Sequence, residues 1–295
     1  MAETPQIIEL PGRALLRLDG PEAKGFLNGL VSNDVTKAAP ERALYAALLT
    51  PQGKFLADMF IQQHQDALWL DVAGNRLEDL AKKLKLYRLR AKVEIAPQPG
   101  WQAFALIGPN AAETLALPEQ AGAAHAFGAG FACIDPRLAA MGARLWLPGN
   151  EPPGIGAPAD FSAYEALRLR LGLPDGARDI EIDKGLLLEN HFEALRGVDF
   201  AKGCYVGQEV TARTKYRGLV KKQLYRVSAQ ADLPPPGSSI SQDGAEAGQL
   251  LSHDGRQGLA LLRNEQVAKA NEGGAPLLAE GIALQASLPD YAAKA

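Results

Sequence analysis

The chain has 295 residues, room for about two domains of ordinary size, with 47% hydrophobic and 22% charged residues and a net charge of −3. This composition excludes disorder, collagen and coiled coil, and no apolar run approaches the ~18 residues of a membrane-spanning helix. Two cysteines, Cys133 and Cys204, are too few for a disulfide framework or a four-cysteine metal site. They read as free thiols in a reducing compartment. Residues 1–20 lack the basic start and apolar core of a signal peptide, so the expectation is a cytoplasmic protein.

Short or alternating apolar stretches predict strands at Ile7–Leu10, Ala14–Leu18, Ala43–Leu49, Phe55–Gln62 and Ala67–Val72. The Gln52-Gly53 turn between two of them predicts a hairpin. Helices are predicted at Pro21–Leu30, where proline stands at the start, and at Arg76–Tyr87, which spaces Leu77, Leu80, Leu84 and Tyr87 helically. A third runs from Asp160 to Leu171, with Asp160 or Ser162 as cap and Gly172 as stop. The Pro- and Gly-rich stretch 148–158 looks like a crossover between subdomains. Past Lys222, short apolar runs punctuated by glycines predict four to six strands, no strong helix and a small barrel. The expected division is a core over residues 1–221 and a β-barrel over 222–295, in an α+β fold.

Charge is uneven. Residues 81–93 and 200–226 each sum to +6, leaving the rest of the chain strongly acidic. Such concentrations are either solvated faces or sites for an anionic partner.

The densest candidate for chemistry is Lys202-Gly203-Cys204-Tyr205-Val206-Gly207-Gln208-Glu209, followed by Arg213. Two glycines bracket Cys204 and allow close backbone approach. A helix permitted from Gly207 to Arg213 would place the thiol at its N-terminus, near Lys202 and Arg213, where dipole and cations favour thiolate. The alternative is an inert cysteine buried in a glycine-rich turn. Asp58 lies in an apolar strand and is costly to bury alone, so it either faces a ligand or joins a structural salt bridge. Cys133 reads as a core-strand residue. His64, on a predicted turn, His125, His191 and His253 show no metal-ligand spacing.

The run Lys202–Glu209 resembles the signature of the YgfZ branch of the GcvT-like, folate-binding superfamily. Phe26–Asp34, Thr50–Asp58, Leu86–Val93 and Gly258–Arg263 resemble other motifs of that family in the same order, so the likeness covers essentially the whole chain. The run Gly197–Val220 is most similar to mitochondrial and α-proteobacterial iron–sulfur assembly factors. The resemblance implies a central folate channel closed by a C-terminal barrel, tetrahydrofolate as ligand, and participation in making or repairing iron–sulfur clusters. In bacterial members that activity supports cluster-dependent enzymes, one of them a tRNA-modification enzyme. For this chain it implies Asp58, Arg88, Arg90 and Arg170 near folate, with arginines holding the glutamate tail. Arg170 stands where the related aminomethyltransferases carry a glutamate that helps hold the pterin. A single exposed cysteine cannot ligate a whole cluster, so Cys204 would share one with a partner such as an A-type carrier or a cluster-dependent enzyme. No complete acid–base set is visible, which favours an accessory protein over an enzyme. The alternatives are a tetrahydrofolate-dependent one-carbon transferase and, ranked last for want of aromatic platforms beside the charge, an RNA-binding protein.

Overall fold

The computed structural model describes residues 4–218 and 220–293. Leu219, within the Gly197–Val220 run, and the outermost residues of the two expected domains lie outside them. In chain order the elements are β1 (Gln6–Glu9), β2 (Arg13–Asp19), α1 (Ala23–Asn28), β3 (Leu44–Leu49), β4 (Phe55–His64), β5 (Ala67–Ala73), α2 (Leu77–Arg88), β6 (Glu94–Pro97) and β7 (Trp101–Ile107). There follow α3 (Ala111–Thr114), β8 (Ala124–Phe127), β9 (Gly130–Ile134), β10 (Ala143–Pro148), β11 (Ala157–Pro158), α4 (Phe161–Leu171) and α5 (Gln208–Tyr216). The last stretch holds β12 (Lys222–Ala229), β13 (Ser239–Gln242), β14 (Ala245–Asp254), β15 (Gln257–Arg263), α6 (Asn264–Asn271), β16 (Leu277–Ala279) and β17 (Ile282–Ser287).

Three sheets organise these strands. One has the order β11-β1-β7-β10-β9-β8, a second the order β3-β4-β5-β2-β6, and β12-β15-β14-β13-β16-β17 close into a barrel. The fold is α+β with a C-terminal barrel, as expected. One sheet face packs under α1 and α2, where Leu18, Leu27, Leu48, Met59, Leu70 and Leu84 share a core. The two sheets meet through Ile8, Leu15, Trp69, Phe131 and Trp146, with Tyr164 of α4. The irregular segment between α4 and α5 covers the remaining face of β3 and β4. Phe192 stacks on Tyr45 at 5.0 Å and meets Phe55 edge-on at 6.2 Å. Covered on both faces, β3 and nearly all of β4 are buried, which explains their near-continuous apolar reading.

Several expectations shift. The first helix shortens to Ala23–Asn28. Asp160 occupies the cap position of α4 but its side chain makes no capping hydrogen bond, whereas Gly172 ends that helix in the left-handed region at φ 74° as predicted. The stretch 148–158 is not a crossover to another layer: it joins β10 to β11, and both lie in one sheet. His64 ends β4 rather than sitting on a turn, and packs against Phe131 at 5.2 Å. The barrel region does contain a helix, α6, with Val267 buried in the barrel core; only that one residue of the helix is fully buried, too weak a stripe to read in the sequence.

Candidate functional site

Three of the resembling motifs converge on Cys204. Lys202 sends its ammonium to the carbonyls of Asn28, Val31 and Asn33 at 2.7, 2.7 and 2.8 Å, pinning the start of the signature run to the end of α1 and the loop beyond. Burial pulls its pKa down to about 8, so at neutral pH it remains protonated and donates to all three. Its ammonium is therefore held by three carbonyls and, among the described residues, by no carboxylate hydrogen bond. Val206 donates to the carbonyl of Gly29 at 3.2 Å.

The Thr50–Asp58 hairpin closes the joint from the other side. Gly207 caps α5 at φ 81°, and a Cβ there would lie 2.4 Å from the Thr50 carbonyl oxygen and 3.1 Å from Gly53 Cα. A Cβ on Gly53, itself at φ 75°, would lie 2.7 Å from Val210 Cβ. Glycine meets glycine because no side chain fits either position. Tyr205 anchors in the Phe55–Phe192 cluster, and its backbone N–H donates to Gln208 Oε1 at 3.2 Å. Burial pushes the Tyr205 hydroxyl up to about 12.

Lys202, Tyr205 and Gln208 thus hold the joint together, while Cys204 stands exposed four residues before α5, with open space about the neighbouring Gly203. Lys202, Tyr205, Gln208, Glu209, Arg213 and Tyr216 line one cleft of about 480 Å³. Cys133 is buried in β9, and burial pushes its thiol up to about 12, so it stays protonated. No histidine joins Cys204: His191 Nε2 instead meets the Leu224 carbonyl at 2.8 Å, fastening the barrel to the core.

A second feature is a cavity of about 360 Å³ lined by Asp58, Phe60, Tyr164 and five arginines, Arg13, Arg137, Arg144, Arg168 and Arg178. Each arginine is paired. Asp71 accepts from Arg13 at 2.6 Å and from Arg144 at 2.6 and 2.9 Å. Burial works to raise the Asp71 carboxyl, but these two guanidiniums outweigh it and hold it below the usual range. Arg137 pairs with Asp135 at 2.8 Å, and Arg178 with Glu165 and Asp175 at 2.8 and 2.9 Å. Arg168 bridges α4 to Asp179 at 2.8 Å and to Ser252 of the barrel at 2.7 Å. The Arg144 guanidinium also lies 4.0 Å from the Phe60 ring centre.

Asp58 differs from these acids. It is 5% exposed, and its hydrogen-bond partner is the Tyr45 hydroxyl, which donates at 2.9 Å. Burial raises its carboxyl above the ordinary range, and the opposing pull of Arg13 and Tyr45 does not restore it. Gly176 approaches so closely that a Cβ there would lie 2.3 Å from Asp58 Oδ1.

The other expected folate residues are not in this cavity. Arg88 closes α2 and Arg90 follows it, both exposed, and Arg170 is exposed on α4, lining openings toward α3 and toward the barrel. The structure therefore separates Asp58 from Arg88, Arg90 and Arg170. Helical spacing explains the last case: Tyr164 and Arg168, four apart, face the cavity, and position 170 points elsewhere. Arg13, Arg137, Arg144 and Arg178 were missed. The signal that could have found Arg13 and Arg144 is the one that singled out Asp58, a charge within an apolar strand.

Residues 4–128 match the GCVT N-terminal domain, and residues 221–294 match the CAF17 C-terminal beta-barrel domain. The glycine cleavage system aminomethyltransferase T from Bartonella henselae superposes with a TM-score of 0.76 over 98% of this chain and 86% of that one, at 17% identity. That likeness shows a shared fold. The iron–sulfur cluster assembly factor IBA57, mitochondrial, of Homo sapiens is 36% identical over 96% of this chain and 84% of its own length. Its counterpart in Mus musculus is 34% identical over 88% and 77%, and the homologue of Mycosarcoma maydis 32% over 92% and 68%. All three relatives are named mitochondrial, which overturns the cytoplasmic expectation. Cysteine usage reports a reducing compartment without saying which one. With a human relative matched across nearly the whole chain and the joint around Cys204 built from the motifs that first suggested the likeness, the chain belongs to the IBA57 family of iron–sulfur cluster assembly factors, on a GcvT-like fold.

Proposed function

We propose that this protein acts in iron–sulfur cluster assembly by contributing the Cys204 thiolate to a cluster shared with a partner protein. The observation that carries this reading is an exposed thiol between two anchored residues, Lys202 and Tyr205, while the other cysteine is buried and protonated. Among the described residues no three His, Cys, Asp or Glu side chains group as a metal site. The remaining ligands therefore come from the partner, for which an A-type carrier is the natural candidate. Anchoring of Lys202, Tyr205 and Gly207 on either side of the thiol lowers the ordering entropy that each encounter would cost.

The test mixes the protein with a cluster-loaded A-type carrier and follows a cluster-bearing complex by size-exclusion chromatography and visible absorbance. The complex is expected with the wild type and absent with Cys204→Ser. Its survival in that variant overturns the ligand role.

We further propose that the Asp58 cavity takes tetrahydrofolate. A carboxylate with one hydrogen bond, among arginines already neutralised by other acids, suits the donor-rich edge of a pterin. Calorimetric titration should show binding that Asp58→Asn removes; equal affinity in that variant refutes the placement. Aminomethyl transfer by the folate-loaded protein would favour the one-carbon transferase reading instead.

A further inference from the structure

The outer end of α2 carries two leucines that the fold leaves uncovered. Leu86 is 77% and Leu89 86% exposed, although Leu80, Ala81 and Leu84 of the same helix are buried. Leu89 ends the helix at φ 46° and ψ −106°, a conformation that residues other than glycine rarely adopt. Around the pair stand Lys82, Lys85, Arg88 and Arg90, all exposed, and among the described residues none of the four forms a salt bridge. Four lysines elsewhere, Lys37, Lys184, Lys215 and Lys269, each pair with a carboxylate. An uncovered apolar spot ringed by unpaired charge of one sign is the anatomy of an interface centre and rim.

The segment that follows the patch is linked to the joint through α1. Beyond α2, the Lys92 N–H donates to Glu22 Oε2 at 2.5 Å, at the start of α1. At the other end of α1, Lys202 grips the Asn28 carbonyl. Six residues of α-helix span about 9 Å, so the short α1 touches both the segment beyond the patch and the joint that carries Cys204.

Resting on the cluster-ligand reading above, we propose that Leu86, Leu89 and their ring of cations dock the protein that shares the cluster, through an apolar spot on that protein bordered by carboxylates. Opposite charge would steer the approach and set the register, and the leucines would supply the dry contact. A membrane fits less well, because the apolar face a lipid surface would take up is already buried in the core. RNA would require stacking platforms, and Tyr87 packs into the core instead.

The experiment titrates the full chain with the apo form of an A-type carrier at low and physiological salt. Two variants, Lys82→Glu/Lys85→Glu/Arg90→Glu and Leu86→Ser/Leu89→Ser, are first checked for an unchanged melting transition. Each is expected to bind at least tenfold more weakly, and the charge variant should lose most of its salt dependence. Wild-type affinity in both variants overturns the proposal, as does a wild type that shows no binding to the carrier. Loss in both variants of binding to phosphatidylglycerol vesicles, with carrier binding intact, overturns it in favour of a lipid surface. Cys204→Ser separates the two readings. It is expected to keep apo-carrier affinity while losing cluster absorbance. If it keeps the absorbance while the patch variants lose binding, the ligand role falls and the docking surface stands.

Discussion

The Asp58 cavity and the Cys204 joint are built by opposite means. Around the cavity, long charged side chains are buried and matched guanidinium to carboxylate across sheets and helices. At the joint, backbone meets backbone through glycines, and one lysine gathers three carbonyls. The cavity arrangement concentrates charge yet leaves one acid weakly partnered, whereas the joint leaves one sulfur exposed on a stiff support. In both places most of the polar machinery is structural, and the functional candidate is the group the machinery leaves unsatisfied.

That contrast breaks most readily at Asp71. Asp71→Ala strands the buried Arg144 guanidinium and loosens the half-buried Arg13, and is expected to cost about 3–5 kcal/mol in urea unfolding. Because its carboxyl titrates below the usual range in the folded state, the wild type's advantage is complete above the unfolded-state pKa, roughly 4, and fades as pH falls through the folded value. A variant as stable as the wild type at pH 7 would mean the arginines are not held as described.

At the joint, Lys202→Met removes three charge-assisted hydrogen bonds, a loss of roughly 1.5–3 kcal/mol, and should expose the signature run to limited proteolysis. Unchanged protease resistance would dismiss the lysine as a clasp. The two glycines flanking Cys204 sharpen the point. Gly207→Ala forces a Cβ against the Thr50 carbonyl at positive φ and should cost roughly 1–3 kcal/mol. Gly203→Ala meets nothing within 4 Å and should change stability by less than about 0.5 kcal/mol. Equal melting shifts in the two would contradict the packing.

Asp58→Asn carries a small effect on stability, and one of opposite sign. A carboxyl whose pKa is raised in the folded state binds its proton more tightly there. Its stabilisation is complete below the unfolded-state pKa and is lost as pH rises through the folded value. The asparagine variant should therefore gain on the wild type as pH rises and match it in acid, as thermal melts from pH 3 to 8 would show. A variant that loses ground with rising pH would indicate an ionised Asp58 paired with a cation.

How much of this was legible in the sequence depended on how far apart the interacting residues lie. The hairpin at Gln52-Gly53, the stop of α4 at Gly172 and the strand periodicity of β3, β4 and β5 are local, since turn geometry and side-chain alternation act over a few residues. The signature around Cys204 was legible as a run of letters. Its mechanical sense, glycine against glycine and lysine against three carbonyls, required the hairpin and α1 to be seen beside it. Grouping Arg88, Arg90 and Arg170 with Asp58 failed for the same reason. Basic clusters along a chain say nothing about which way side chains face once the helix is docked.

Local chemistry along the chain settled the barrel, the strands β1 to β5, the helices at α2 and α4, and the place of Cys133 in a core strand. Three-dimensional assembly alone settled which charges are neutralised, which acid is left nearly unpartnered and which leucines stay uncovered. Periodicity and turn preference act between neighbours, whereas burial and ion pairing are properties of partners such as Arg144 and Asp71, 73 residues apart in the chain and 2.6 Å apart in the fold.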